Sequence, residues 1–250
     1  MKNYNLAALA IMVIACTLWI TACQDEDIDQ LQAFQLENAN PADGKVAYDI
    51  PTDMNTLKPN SELTKDWWRY VMGFDCEHNP LYNDPASPAA TGQNGPVKFL
   101  VAAKDGPSVR NIIAYKNQTL VVPVINNLGY VSCTEPDFQP TPGHSLEQVL
   151  KLRAQKFNNL AGSIRVTLDG KSIAVTNSNR ITTDLFYFKV NADLENCFQP
   201  CLTGGVKEAV SDGYWVFIKG LTKGNHTLHL SVRNAQVGNL VDATYRIAVP

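Results

Sequence analysis

Strict alternation of apolar and polar residues is the pattern that most limits how this chain can fold. In SIRVTLDG, residues 163–170, polar and apolar side chains alternate as far as Leu168, and an Asp-Gly pair ends the segment. Neighbouring side chains of a β-strand point to opposite faces, so this pattern predicts a strand with one buried face. The Asp169-Gly170 pair favours a tight turn, and the following KSIAV segment is therefore predicted to complete a hairpin.

The same alternation returns near the C-terminus, in NHTLHLSVR (225–233) and DATYRIAV (242–249). Two other segments, LVVPVI (120–125) and YWVFI (214–218), are apolar on both faces, which is typical of interior strands. Pro123 has no N–H to donate, so it predicts an edge position or a bulge within the first of these.

Two segments have helical patterns. SELTKDWWRYVMG (61–73) begins with Ser61 as a predicted N-cap, and HSLEQVLKLRAQKFNNLAG (144–162) carries Ser145 and Gln148 at capping-box spacing. The predicted apolar stripe of the second helix consists of Leu146, Val149, Leu150, Phe157 and Leu160. Together these patterns predict an all-β fold, with one β-sandwich or jelly-roll-like domain and helical insertions before and between the strands.

The first residues predict export. Lys2 precedes an apolar run from Leu6 to Ile20, which is shorter than the roughly 20 residues that a transmembrane helix needs. The run ends in Ile20-Thr21-Ala22-Cys23, which resembles the lipobox of bacterial lipoproteins. This resemblance implies that residues 1–22 are a signal peptide and that lipid is attached to the sulfur of Cys23. An uncleaved anchor and a plain secreted protein are the alternatives.

Residues 24–29, QDEDID, place four carboxylates directly after that cysteine. A solvated, extended tether is one interpretation. The segment also resembles the acidic surface-export signal of some Gram-negative lipoproteins, which implies an outer-membrane protein that faces outward. We therefore divide the chain into the signal peptide, an acidic tether with an irregular lead-in (23–60) and a single β-rich globular domain (61–250).

Four cysteines follow the lipidated one, namely Cys76, Cys133, Cys197 and Cys201. An even number suits disulfides in an oxidising compartment. A turn at Pro200 could bring Cys197 and Cys201 within bonding distance, so we expect that pair, which leaves Cys76 with Cys133. A zinc site is the competing interpretation.

The segment DCEHNPLYND (75–84) is the densest polar cluster. Glu77, His78 and Asp84 could supply acid–base chemistry or hold calcium, whereas Asx-Pro turns produce the same composition without a ligand. No nucleophile elbow, phosphate loop or H-E-x-x-H motif accompanies the cluster, so no catalytic residue is predicted. His226 and His229 would point to opposite faces of one strand, so the H-x-x-H spacing predicts no metal site.

Aromatic residues precede that loop. On a helix, Trp67, Tyr70 and Phe74 share one face and are expected in the core. Trp68 is left as the residue expected to be exposed, where a flat indole could stack on a sugar ring.

Several blocks of the chain resemble a family of exported bacterial β-rich proteins with no established activity. The blocks are Trp67-Trp68, Asn79-Pro80 with Asp84, GQNGPVKFL (92–100), VPVINN (122–127) and SDGYWVFIKGLTKGNHTLHL (211–230). The resemblance covers most of residues 67–249 and agrees with the expected fold. Asp212 and Gly213, in its last block, are expected to form a turn.

These patterns favour a surface-anchored lipoprotein whose domain is a non-catalytic binding or envelope-interaction module for a glycan or protein ligand. The predicted ligand-binding residues are Trp68, Glu77, His78 and Asp84. The formal net charge of −3 at pH 7 excludes a basic footprint for nucleic acid. No cofactor is predicted, although the loop could take up calcium. The alternative is an exported hydrolase or calcium-dependent enzyme that uses Glu77, His78 and Asp84.

Overall fold

The computed structural model describes residues 59–83, 93, 95–131, 133 and 142–250. The chain divides into two compact units, 1–46 and 47–250, and all described residues belong to the second. Cys23, the acidic segment 24–29 and Asp84 lie outside the described residues, so the signal peptide, the tether and a ligand role for Asp84 stay predictions. Within the described part of the chain, no helix combines the length and the apolar character needed to span a bilayer.

Strands dominate the described residues, as the alternation predicts. The strands are β1 (Val97–Phe99), β2 (Ser108–Ile113), β3 (Thr119–Tyr130), β4 (Ser163–Leu168), β5 (Lys171–Ile173), β6 (Arg180–Thr182), β7 (Phe186–Val190), β8 (Gly205–Ile218), β9 (Gly224–Asn234) and β10 (Gly238–Val249). The α-helices are α1 (Asn60–Met72) and α2 (Leu146–Asn158), and short 3-10 helices cover Asn177–Asn179 and Ala192–Glu195.

The strands form two five-stranded sheets. The first has the order β1-β3-β8-β6, with β7 also paired to β8, and the second has the order β2-β10-β9-β4-β5. Each sheet has a parallel pair at one edge, β1 with β3 and β2 with β10. The predicted class, an all-β sandwich-like domain with helical insertions before and between the strands, is confirmed.

The first sheet is buried on both faces. Its inner face packs on the second sheet, where Val122 and Ile218 belong to one core cluster with Leu230. Its outer face packs on α1, where Val121 and Trp215 belong to a second cluster. This double burial explains why the central segments of β3 and β8 are apolar throughout. The register shifts between Pro123 and Ile125, which confirms the bulge predicted at the proline.

The predicted hairpin and the predicted divergence of the two histidines are both confirmed. Asp169 and Gly170 have φ angles of 52° and 76° and join β4 to β5. The Asp169 carboxylate accepts a hydrogen bond from the Thr227 backbone N–H (2.8 Å) and lies 2.7 Å from Nδ1 of His226. This contact raises the pKa of His226 and lowers that of Asp169. His229 faces the other side of β9, where its Nε2 lies 3.1 Å from Asp242.

One helix start was predicted correctly and the other was not. The Ser145 hydroxyl accepts from the Gln148 N–H (3.3 Å) and the Gln148 side chain accepts from the Ser145 N–H (2.9 Å), which confirms the capping box of α2. The N-cap predicted at Ser61 is wrong, since α1 begins at Asn60 after Pro59 and no side chain caps it. Pro59 is the N-cap residue, and its carbonyl accepts the first hydrogen bonds of the helix from the N–H groups of Glu62 and Leu63.

The predicted apolar stripe of α2 is only partly buried. Val149 and Leu150 are buried, whereas Phe157 and Leu160 are 38% and 41% exposed. The helix lies closely on β3, since a Cβ at Gly129 would sit 2.0 Å from the backbone oxygen of Leu150. The buried face of the helix continues from Leu150 through Ala154 to Asn158, so Phe157 and Leu160 lie to the side of it.

All four cysteines form disulfides, but the expected pairing is wrong. Cys76 bonds Cys197, with a Cα–Cα distance of 6.0 Å, and Cys133 bonds Cys201, with 5.6 Å. The chain does turn between residues 194 and 202, as Pro200 predicts, through hydrogen bonds from the N–H groups of residues 198, 199 and 202. The two cysteines of this turn therefore bond different partners: Cys197 bonds Cys76, which follows α1, and Cys201 bonds Cys133, which follows β3.

Chymotryptic mapping without reduction tests this pairing, because cleavage after Phe198 separates Cys197 from Cys201. We expect the peptide that begins at Asp75 to be linked to the one that ends at Phe198. The peptide that begins at Val131 should be linked to the one that begins at Gln199. Mass spectrometry would contradict the structure if the two halves of the cleaved turn remained joined to each other.

Candidate functional site

Trp68 is not the exposed aromatic residue that its helical position predicts. It is 5% exposed, its ring meets that of Trp67 edge to face at 4.9 Å, and its Nε1 donates to the Ser211 hydroxyl (2.8 Å). Helix α1 is covered on more than one side, since even its charged Lys65 and Asp66 are less than a tenth exposed. The expectation of an exposed Trp68 is therefore wrong, and in this structure the indole offers no stacking face.

Side chains of the predicted ligand loop hold the loop itself together. The described part, residues 75–83, contains Asn79, which is fully buried, donates to the Val71 carbonyl (2.9 Å) and accepts from the Leu81 N–H (3.0 Å). The Asn83 amide donates to the carbonyls of Cys76 (2.9 Å) and Glu77. The bond from the Leu81 N–H to the Asn79 side chain closes an Asx turn, which is the interpretation of this composition that needs no ligand.

Glu77 and His78 lie on the outer side of this loop. The Nδ1 atom of His78 is 2.7 Å from the Asp75 carboxylate, and both side chains are more than two fifths exposed. Glu77 is exposed. Among the residues that the structure describes, His, Cys, Asp and Glu side chains form no group of three or more arranged to hold a metal ion. Such an open carboxylate–imidazole contact is typical of a turn rather than of a buried acid–base pair.

A second segment, residues 191–202, is tied to the loop. The Cys76–Cys197 disulfide joins them, and the backbone N–H of Cys76 donates to the Asp193 carboxylate (2.8 Å). This hydrogen bond and one from the Asn196 side chain lower the pKa of Asp193. Asn191 connects the segment to the end of α1 through a bond from its N–H to the Met72 carbonyl (3.0 Å). The loop is thereby fixed to residues 191–202, which we call the rim and which lie more than 100 positions later in the chain.

An aromatic pair with a lysine lies where the loop meets this rim. The rings of Tyr82 and Phe198 are 6.4 Å apart and nearly perpendicular, at 87°. The Lys104 ammonium lies 5.2 Å from the first ring centroid and 5.1 Å from the second, and it donates to the Tyr82 hydroxyl (3.2 Å). We call these three residues the aromatic corner. Both rings are partly exposed, and the lysine covers one face of each.

Sequence reasoning missed the aromatic corner. Tyr82 lies inside the polar loop that composition had singled out, but Phe198 and Lys104 come from segments far away in the chain. The only local signal was that Phe198 lies between Cys197 and Cys201. Because those two cysteines were expected to bond each other, nothing in the sequence placed Phe198 beside the loop that contains Tyr82.

Besides the loop, polar side chains are concentrated in a buried ionic cluster on the face of β8 that points away from α1. The Asp212 carboxylate is fully buried and accepts from the Arg180 guanidinium (2.8 Å), the Thr182 hydroxyl (2.6 Å) and the Asn158 amide (3.0 Å). The bond to Asp212 is the main cause that raises the pKa of Arg180. With its oxygens used in this way, Asp212 serves the structure rather than a substrate.

The turn predicted at Asp212 and Gly213 is wrong. Both residues lie within β8, paired with Asn127 and Asn126 of β3. Gly213 is required there by close packing, because a Cβ would lie 2.7 Å from the Ile125 carbonyl oxygen. That oxygen belongs to the bulged part of β3, so the glycine accommodates the bulge.

Comparison with protein-family models and with curated proteins gives no match. Among solved structures, the chain is similar to the solution structure of Amebosin, with 12% identity and a TM-score of 0.17 over 58% of this chain and 100% of the other. A likeness of that size carries no argument about fold or function.

Replacing Asp212 by Asn tests the importance of the buried cluster. The amide keeps the shape but leaves the Arg180 guanidinium beside a neutral group, so we expect the free energy of unfolding to fall by about 3 kcal/mol. Asp184, 71% exposed and paired with Lys65, is the matched control, and Asp184→Asn should cost less than about 1 kcal/mol. Equal losses in urea unfolding curves would show that burial of the pair does not matter.

Proposed function

We propose that the protein is an exported lipoprotein, anchored in the outer membrane through Cys23, whose β-sandwich is a non-catalytic binding module at the cell surface. The observation that carries the binding role is the aromatic corner of Tyr82, Phe198 and Lys104. Two disulfides support export, because such bonds persist in oxidising compartments. The lipobox-like Cys23 and the carboxylates of residues 24–29 support a lipid anchor and an outward orientation.

The aromatic corner favours a glycan as ligand. Sugar rings present flat C–H faces that stack on aromatic side chains, and the exposed parts of Tyr82 and Phe198 that Lys104 does not cover offer surface of that kind. The Lys104 ammonium adds a donor and a positive charge, which favours a hydroxyl-rich or acidic glycan. The exposed Glu77 and the His78–Asp75 pair lie on the same loop as Tyr82 and extend the polar surface beside it. Trp68 has no part in this proposal.

Rigidity is the second reason to place recognition here. The Cys76–Cys197 disulfide and the bonds of Asn79 and Asn83 hold the loop before any ligand arrives. A preorganised site loses less conformational entropy on binding, which increases affinity without additional contacts.

An oligosaccharide array tests the glycan ligand, with the full-length protein in detergent as the probe. We expect binding to at least one immobilised glycan, and Tyr82→Ala or Phe198→Ala should weaken it about tenfold or more, since each removes one stacking face. Tyr115 is an exposed tyrosine outside the corner, so Tyr115→Ala should bind as the wild type does. Each variant's thermal unfolding is measured in parallel, so that a folding defect is not mistaken for lost binding.

Absence of binding to any glycan would contradict this ligand and favour a protein partner instead. One observation specifically favours that second candidate. Val109 and Ile113 are 51% and 58% exposed on the outer face of β2, which ends the second sheet. An exposed apolar stripe on an edge strand is suited to contact with another envelope protein.

Replacing Cys23 by Ala tests the anchor independently of the ligand. The wild-type protein should fractionate with membranes and be degraded when intact cells are treated with protease. The variant should lose its acyl chains, detected by the mass of the N-terminal peptide, and leave the membrane fraction. Unchanged fractionation and peptide mass would contradict the lipoprotein assignment, and protection of the wild type from protease would contradict surface exposure.

A further inference from the structure

Strand β2, at one edge of the second sheet, has backbone groups that its neighbour in the sheet does not use. Among the strands that the structure describes, β2 pairs with β10 alone. The N–H of Ala114, directly after β2, donates to the Ala248 carbonyl of β10 (3.0 Å). Since backbone groups alternate in direction along a strand, those of Val109, Asn111 and Ile113 point the other way, toward the open edge. The strand therefore offers an evenly spaced row of donors and acceptors.

This edge also lacks the charges that usually keep exposed strands from pairing. Edge strands of soluble proteins are commonly short or carry charged side chains. β5, at the other end of the same sheet, has three residues and begins with Lys171. β2 has six residues, and its one charged side chain, that of Arg110, is 3% exposed. Val109 and Ile113 are more than half exposed instead, so the strand is suited to being covered by another strand.

The outward residues of β2 are arranged symmetrically about Asn111. Val109 precedes it by two positions and Ile113 follows it by two. When two copies of β2 meet antiparallel with Asn111 opposite Asn111, each Val109 lies opposite Ile113 of the other copy. All three positions have their N–H and C=O groups on the open edge, so each opposed pair exchanges two hydrogen bonds. The same register brings β-branched side chains together on the outer face, where such pairs stabilise a sheet.

Charges at the two ends of the strand complement each other in this register. Asp105 lies before β2 and Lys116 lies after it, and both are exposed. Antiparallel pairing about Asn111 places position 105 opposite position 117, so the Asp105 carboxylate of one copy comes near the Lys116 ammonium of the other at both ends. Lys104, beside Asp105, is directed to the aromatic corner instead. A parallel or shifted pairing would lose the opposed apolar pairs and these ion pairs together.

We propose that the protein forms a symmetric homodimer through antiparallel pairing of β2 centred on Asn111, which joins the second sheets of two copies into one continuous sheet. A twofold axis perpendicular to the sheet produces this pairing and keeps both outer faces on one side. Such a dimer is closed, because each copy covers the open edge of the other. The stripe of Val109 and Ile113 then contacts its own counterpart rather than a different envelope protein. The proposal does not depend on the ligand of the aromatic corner or on the lipid anchor.

Single cysteines in the full-length protein in detergent test the register, with mild oxidation as the crosslinking step. Facing residues of a hydrogen-bonded antiparallel pair have Cα atoms about 5.5 Å apart, which is within disulfide range. Asn111→Cys faces itself across the axis, so we expect this variant to form a covalent dimer. Val109→Cys and Ile113→Cys should crosslink when mixed but not singly, since like positions are then four residues, or roughly 13 Å, apart. Peptide mapping must show the new bond between the introduced cysteines.

Asn111→Lys tests the association without added cysteines. Two ammonium groups then face each other at the centre of the interface, so we expect the dissociation constant to rise about fivefold or more in sedimentation with detergent micelles in excess. Asn225→Lys is the matched control, because it adds the same charge at an exposed position of β9, two strands from the edge, and should associate as the wild type does. At a dilution where the wild type is monomeric, both variants should unfold at the wild-type temperature, since both positions are exposed in the single chain.

Three results would overturn the proposal. A wild type that stays monomeric as its concentration rises would leave β2 to a different protein partner. Crosslinking of Val109→Cys by itself to the same extent as in the mixture would show random collision or another register. Equal association of the wild type and Asn111→Lys would place the interface elsewhere on the protein.

Discussion

A fully buried carboxylate in the central strand of the first sheet is the constraint on which much of the surrounding structure depends. Asp212 cannot remain charged in the interior unless donors surround it. Arg180 and Thr182 supply them from β6, and Asn158 supplies one from the end of α2. A short edge strand and a helix are thus fixed to β8 by one side chain. Moving β6 by one residue would turn both of its donors to the other face, so the cluster also specifies register.

Much of the fold could be predicted because its signals are local. The Asp169-Gly170 turn, the capping box at Ser145 and the bulge at Pro123 each depend on residues that are neighbours in the sequence. The apolar runs of β3 and β8 predicted interior strands, and the two core clusters on either side of the first sheet confirm this.

The failures share one physical cause, which is packing against distant parts of the chain. Helical periodicity assumes one buried face, but α1 is covered on several sides, so Trp68 is buried with Trp67. In α2, the glycine at position 129 lets the helix backbone approach the sheet, and the polar Asn158 takes the buried position next to Phe157, because its amide donates to Asp212. The candidate site follows the same rule. Composition located the loop, whereas the aromatic corner combines residues from three separate segments.

The cysteines at positions 197 and 201 have a consequence for how the protein matures. They are four residues apart, yet each bonds a cysteine far earlier in the chain, at separations of 121 and 68 residues. In an unfolded chain, cysteines so near each other collide far more often than either meets its final partner. Oxidation that outpaces folding therefore favours the wrong bond, and native connectivity is restored only by thiol–disulfide exchange. A compartment that oxidises thiols without shuffling them would yield intact but misjoined molecules, so the choice of expression host decides how much correctly bonded protein is obtained.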